Sequence, residues 1–219
     1  MAISAIDANF SLVPHVADLT DEGVQLVGRY LSRTPAKNLT RAEALALGNQ
    51  GIGCWMVWET SGGRALLSNF NSAQEAQAAG AADAQEAVRQ ARDVVGAPNG
   101  AAIYFAVDTD VTADQISDYF TGMSSAIGAD YIPGVYGNGA VCAFCLDHNL
   151  AQRAWVWAGR LTTGTQDFVN SDRWHLHQHP EVAPDADDNP FDFGFDPDDF
   201  KPTCGAFLIK DSGATLFGV

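Results

Sequence analysis

The chain is predicted to fold as a single-domain (β/α)8 barrel (TIM barrel) over residues 1–219, and three observations carry that prediction. Apolar runs recur along the sequence, and each closes on a group that ionises or hydrogen-bonds: Ile3–Ile6 on Asp7, Val24–Gly28 on Arg29 and Tyr30, Ile52–Trp58 on Glu59, Ala101–Val107 on Asp108 and Asp110. Wholly apolar strands are those covered on both faces, as in parallel α/β sheets, and barrels place their chemistry where such strands end. Helix-start signals lie between the runs. No G-x-G-x-x-G or phosphate-binding loop follows any run, which removes the usual reason to prefer an open doubly wound sheet.

The elements follow in order. Strands are expected over residues 2–7 and 24–30, then a helix over 40–49 opened by Thr40-Arg41-Ala42-Glu43. This is a capping box, in which a hydroxyl and a carboxyl satisfy the first free N–H groups of the helix. A strand over 52–58 precedes a long helix over 73–95, opened by Ser72-Ala73-Gln74-Glu75. Gly80, Ala84, Ala87 and Ala91 give this helix a face of small side chains suited to close approach against a sheet. Gly51 and Gly96 are placed to end the first two helices. The strand over 101–107 leads to a helix over 113–127 with the box Thr112-Ala113-Asp114-Gln115. A strand over 132–136, a short helix near 139–148, strands over 154–158 and 173–178, and a last strand somewhere within 191–209 complete about eight strands.

Composition narrows the function. With 12 basic and 27 acidic residues the net charge is −15, so phosphate backbones and anionic membranes repel the chain and nucleic acid is not an expected partner. No apolar run reaches the roughly 18 residues of a spanning helix, so membrane insertion is not expected either. The N-terminus lacks a basic segment followed by an apolar stretch, and no signal peptide is read there. Cys54 falls within an apolar strand. Cys142 and Cys145 have C-x-x-C spacing without a second pair, so buried free thiols are expected rather than zinc.

The strand-end carboxylates are the candidate chemistry. Asp108 and Asp110, two residues apart on an extended segment, would point to one side. With Asp7 and Glu59 they would converge at a barrel mouth, where crowding holds some carboxyls protonated near neutral pH. Arg29 is a candidate to orient a carboxylate or sugar hydroxyl, or to form a buried ion pair with Asp7. Tyr136 and Trp157, near strand ends, are candidates to stack on a substrate ring. His175, His177 and His179 share one strand face, but neighbours on one extended strand rarely wrap a single ion, so no metal ligand is assigned. The acidic stretch 181–199 contains Asp185-Ala186-Asp187-Asp188-Asn189, which echoes a calcium loop. Pro190 stands where that loop needs glycine, so a solvated acidic loop is expected.

Five segments together resemble a known family: Ile6-Asp7, Val27-Gly28-Arg29-Tyr30-Leu31, Leu39-Thr40-Arg41-Ala42-Glu43, Ile103 to Asp110, and Gly134-Val135-Tyr136-Gly137. They look like the glycoside-hydrolase-like domains of actinobacteria and their phages, relatives of the family 25 lysozymes, over about residues 3 to 180. The resemblance implies a barrel that hydrolyses glycosidic bonds of a bacterial cell-wall glycan, with no organic cofactor. Asp7 matches the acid of the first strand, and Asp108 and Asp110 match the Asp-x-Glu pair of the fourth, with Asp110 one methylene short. Asp110 or Glu59 is then the proton donor, and Asp108 and Asp7 supply base, nucleophile or electrostatic support. Gln178 resembles a sugar-contacting glutamine, and Asp192 and Asp196 are both candidates for a final acidic strand. The implied partner is cell-wall polysaccharide. A phage lysin or virion-borne protein, in contact with virion proteins, is the implied setting, with export by a non-classical route as the other.

Overall fold

The computed structural model describes residues 3–60, 67–157 and 162–218. Residues 2 and 158, at the ends of two predicted strands, lie outside them. The predicted closed barrel is present. Seven short strands, β1 (Ala5–Asp7), β2 (Leu26–Leu31), β3 (Gly53–Trp58), β4 (Ala102–Ala106), β5 (Ile132–Gly137), β6 (Arg153–Trp157) and β7 (Leu176–Gln178), pair in parallel in chain order. An eighth, β8 (Asp196–Phe200), closes the ring between β7 and β1 and runs antiparallel to both. The direction of β8 departs from a uniform (β/α)8 pattern. No helix separates β7 from β8, so the chain can return down the barrel instead of crossing over it.

The helices between strands are α1 (Val16–Asp21), α2 (Arg41–Asn49), α3 (Ala73–Arg89), α4 (Ser117–Ala126), α5 (Gly139–Asp147) and α6 (Thr165–Asn170). The first and last have only six residues each and carry no side-chain cap, which is why the sequence signalled neither. Thr40 and Ser72 cap as expected, accepting from the backbone N–H of Glu43 and Glu75. The carboxyl of Glu43 is used elsewhere, as described below. α3 continues as a π-helical turn to Val95 and stops at Gly96, which has φ +78°.

The small-residue face of α3 divides its work. Ala84, Ala87 and Ala91 sit in the core against the sheet, whereas Gly80 meets the backbone of α4 at Tyr119. Gly122 of α4 returns the contact, lying so close to the Gln77 carbonyl that a methyl group there would collide with it. The expected result of Gly122→Ala is therefore a loss of about 1–3 kcal/mol in urea denaturation, because the two helices must separate.

Below the barrel, a hairpin of β9 (Phe207–Lys210) and β10 (Gly213–Leu216) packs β9 on α2 and pairs Phe207 with Cys54 at the start of β3. Cys204 and Ala206 close the lower end of the interior, where Tyr104 Oη donates to the Cys204 carbonyl at 2.8 Å. All four cysteines are buried free thiols.

Candidate functional site

Strand alternation decides which side chains enter the barrel. Counting by twos, β1 contributes Asp7, β2 Gly28 and Tyr30, β3 Trp55 and Val57, β4 Tyr104 and Ala106, β5 Tyr136, β6 Trp155 and Trp157, β7 Gln178, and β8 Asp198 and Asp196. The lower of these form an aromatic floor. Trp155 packs edge-on to Trp55 at 5.6 Å between centroids and lies 4.5 Å from Tyr136. Gly28 makes room for this floor, since a Cβ there would run into the Trp55 ring and Asp7.

Above the floor, at the carboxyl ends of the parallel strands, is a cavity of about 370 Å³. Its wall includes Tyr30, Glu59, Asp108, Tyr136, Trp157, Gln178 and Asp196. Because β8 runs backwards, its first residue, Asp196, reaches the same rim as the last residues of its neighbours. β4 and β8 lie four strands apart in the ring, and Asp108, two residues past the end of β4, lines the same cavity as Asp196. Asn9 and Lys37 complete the rim, and Lys37 forms an ion pair with Glu59 while lying 4.8 Å from the centre of the Tyr30 ring.

A hydrogen-bonded chain supports this rim from beneath. Tyr136 Oη donates to Gln178 Oε1 at 2.8 Å, and Gln178 Nε2 donates to Asp7 Oδ2 at 2.7 Å. Trp155 Nε1 donates to Asp198 Oδ1 at 2.7 Å. Asp198 Oδ2 is buried without a donor among the described residues, and its hydrogen-bonding neighbour is the carboxyl of Asp7. One proton shared between the Asp7 and Asp198 carboxyls spares the pair two adjacent buried charges. Burial, then the negative charge of Asp196, pushes the Asp7 carboxyl up to about 8. Burial, then Asp7, holds Asp198 well above the usual carboxylate range. Half-buried at the rim, Asp196 is raised to about 6, first by burial and then by the charges of Glu181 and Asp108.

These shifts make stability pH-dependent. Asp7 in the fold keeps a proton that the unfolded chain loses near pH 4. The stability it contributes is complete below about pH 4 and is lost as the pH rises toward about 8, at roughly 1.4 kcal/mol per pH unit for one extra bound proton. Asp7→Asn keeps an acceptor for Gln178 and offers N–H to Asp198. Its expected effect is a flatter profile and a higher Tm than the parent at pH 8, read from thermal melts between pH 4 and 9.

The structure brings Asp7, Glu59, Asp108, Tyr136, Trp157, Gln178 and Asp196 together at the mouth or directly beneath it. It separates three others. Arg29 points out of the barrel, one residue out of phase with Tyr30, and is fully buried. There its Nε donates to Glu43 Oε1 at 2.7 Å and its guanidinium also binds the Ala8 carbonyl, so neither a substrate nor Asp7 is its partner. Asp110 follows a bend after β4 that breaks the alternation. Its Oδ1 accepts from Asn138 Nδ2 at 2.8 Å and from the Thr163 backbone N–H at 3.2 Å, off the cavity wall. Asp192 is exposed in the loop before β8 and lies 3.4 Å from His15. That loop is anchored by Phe191, Phe193 and Phe195, which join the outer core with Phe10 nearby.

Asn9, Tyr30, Lys37 and Asp198 were not assigned from the sequence. Tyr30 and Asp198 carried a usable signal, since each is two residues from a position already facing inward. Asn9 and Lys37 lie on connecting segments with none. Among the described residues, His177, His179 and Asp199 are a set whose ligand atoms lie within reach of one metal ion, and they sit outside the barrel.

The same architecture occurs in solved structures. The Tat-secreted protein Rv2525c of Mycobacterium tuberculosis, solved in complex with L-tartrate, superposes with a TM-score of 0.72 at 20% identity, over 94% of this chain and 99% of that one. An uncharacterised B. stearothermophilus protein superposes with a TM-score of 0.63 at 18% identity, over 90% and 95%. No curated protein sequence matches the chain. The family model for the Rv2525c-like, glycoside hydrolase-like domain matches residues 17–186, and the chain belongs to that family.

Proposed function

We propose that the protein hydrolyses glycosidic bonds of a bacterial cell-wall glycan in the manner of a lysozyme, with Asp196 as proton donor and Asp108 as its ionised partner. The observation that carries this reading is that a carboxyl raised to about 6 and a second carboxyl line one polar cavity. Glycoside hydrolysis needs two carboxyls flanking the bond, one protonated and one charged. Protonated Asp196 gives its proton to the glycosidic oxygen as the bond to the anomeric carbon breaks. Asp108 stabilises the oxocarbenium-like centre, as nucleophile or by activating water. Tyr136 and Trp157 offer ring faces to the sugar, and Gln178 and Tyr30 offer polar atoms to its hydroxyls. Asp7 and Asp198, sharing one proton below, limit the negative charge that builds up beneath the mouth.

Membership of a glycoside hydrolase-like family supports the chemistry. For the setting, the Tat-secreted character of Rv2525c supports reading this chain as an exported protein that meets the cell wall. Delivery as a phage lysin or virion component meets the same polymer. No helix among the described residues is long and apolar enough to cross a membrane. The test is incubation with purified bacterial walls, scoring sedimentation with the walls and release of soluble sugar fragments. Release is the expected result. Sedimentation without release makes the cavity a glycan-recognition site instead.

A further inference from the structure

On the outer face of the barrel, where β7 and β8 pair, lies a group that the proposed chemistry does not use. Adjacent antiparallel strands place His177 directly opposite Asp199, and His179 follows two residues along on the same face. Asp199 Oδ2 is 2.9 Å from His179 Nε2 and 3.9 Å from His177 Nδ1, and the three ligand atoms lie within 4.8 Å of one another. The geometry points to a binding site for a single transition-metal dication, of which Zn2+ is the best match, held by His177, His179 and Asp199 as a clip across the β7–β8 seam.

The donor set and spacing both support this. Two imidazoles and a carboxylate suit Zn2+ and disfavour Ca2+ or Mg2+, which require mostly oxygen ligands. Ligands about 2.0–2.1 Å from a tetrahedral ion stand about 3.3 Å apart, so the present separations need only small side-chain movements to close around one. A strand offering two histidines cannot surround an ion alone. The third ligand arrives from the reversed strand β8, whose position was not legible in the sequence. His177 is half-buried with its ring against Trp174, 5.6 Å between centroids, which limits its freedom before binding. His179 and Asp199 line a cavity of about 300 Å³ with Val182, Phe195 and Pro197, which leaves room for water or an anion as a further ligand.

The clip has a structural consequence. At the same register Gln178 and Asp198 face inward, opposite each other, beneath the mouth. β7 has only three residues, so its pairing with β8 rests on few backbone bonds. An ion bridging the seam outside fixes the register that positions Gln178, Asp196 and Asp198 inside.

The experiment uses the full chain, freed of metal with EDTA and dialysed, and titrates ZnCl2 by calorimetry with thermal melts in parallel at pH 7.5. The expected result is one Zn2+ per chain and a rise in Tm on binding. His179→Ala, at a partly buried position, and Asp199→Asn, at an exposed one, should keep the circular dichroism spectrum and weaken binding about tenfold or more. His175→Ala, outside the trio, should bind as the parent does. Absence of stoichiometric Zn2+ binding by the parent, or unchanged binding by His179→Ala, overturns the site. Neither outcome depends on glycan cleavage, so this inference and the proposed function fail separately.

Discussion

Asp196→Asn and Asp108→Asn are each expected to reduce fragment release from cell walls by roughly 10²–10⁴-fold, the usual contribution of a positioned proton-transfer group. The reasoning differs for the two. An amide in place of the Asp196 carboxyl cannot donate a proton to a leaving oxygen, although it preserves the size of the rim residue. An amide in place of the Asp108 carboxylate cannot carry the charge that stabilises the transition state. Asp110→Asn is expected to leave the rate within a few-fold of the parent. The Asp110 side chain is committed to Asn138 and the Thr163 backbone, and the cavity wall does not include it. This trio separates the folded geometry from the sequence pattern, which favoured Asp110 or Glu59 as donor. The pH dependence follows from Asp196. A donor raised to about 6 is protonated below that pH, so the rate of the parent should fall about tenfold per unit above it.

Arg29→Met is expected to cost about 3–5 kcal/mol of folding stability, more than any substitution at the rim. It strands Glu43, 1% exposed, as an uncompensated charge in the first turn of α2. The Glu43 carboxyl also accepts from the Leu12 backbone N–H at 2.9 Å, so Glu43→Ala loses two connections at once and should cost a similar amount. The double variant Arg29→Met, Glu43→Met should be less destabilised than the single losses of Arg29→Met and Glu43→Met added together, because no lone charge remains. Urea denaturation of the parent, the single variants, the double variant and a Lys37→Ala control at the rim would measure this. A double variant as unstable as the sum means the pair acts by shape alone.

The sequence made the barrel legible through its parallel strands, because burial on both faces demands unbroken apolar runs and their ends stand out. The parity of those ends was harder to read. Arg29 and Tyr30 look equivalent as the polar close of one run, yet β2 extends to Leu31, and alternation sends Tyr30 inward and Arg29 out to Glu43. Asp108 and Asp110 share parity only while the chain stays extended, and it bends after Ala106. The strand hardest to find was β8. Asp196-Pro197-Asp198-Asp199-Phe200 has no apolar run: its inner face lines and underlies a polar mouth, and among the described residues no helix lies between it and β7. That strand nevertheless supplies the proposed donor, the proton-sharing partner of Asp7 and the third ligand of the outer trio. Glu43 shows a related limit. As the last residue of a capping box it signalled a helix start correctly, but its carboxyl serves Arg29 and Leu12 instead of the helix.

The most direct measurement is the identity of the bond cut. Wall fragments released by the protein at pH 5 would be reduced with borodeuteride and analysed by mass spectrometry, with Asp196→Asn and Asp108→Asn run in parallel and their folds checked by circular dichroism. Glycoside hydrolysis at this cavity predicts deuterium-labelled sugar alcohols at new chain ends with the parent and almost none with either variant. Unlabelled fragments ending in new peptide termini, or labelled ends formed equally well by both variants, would contradict it.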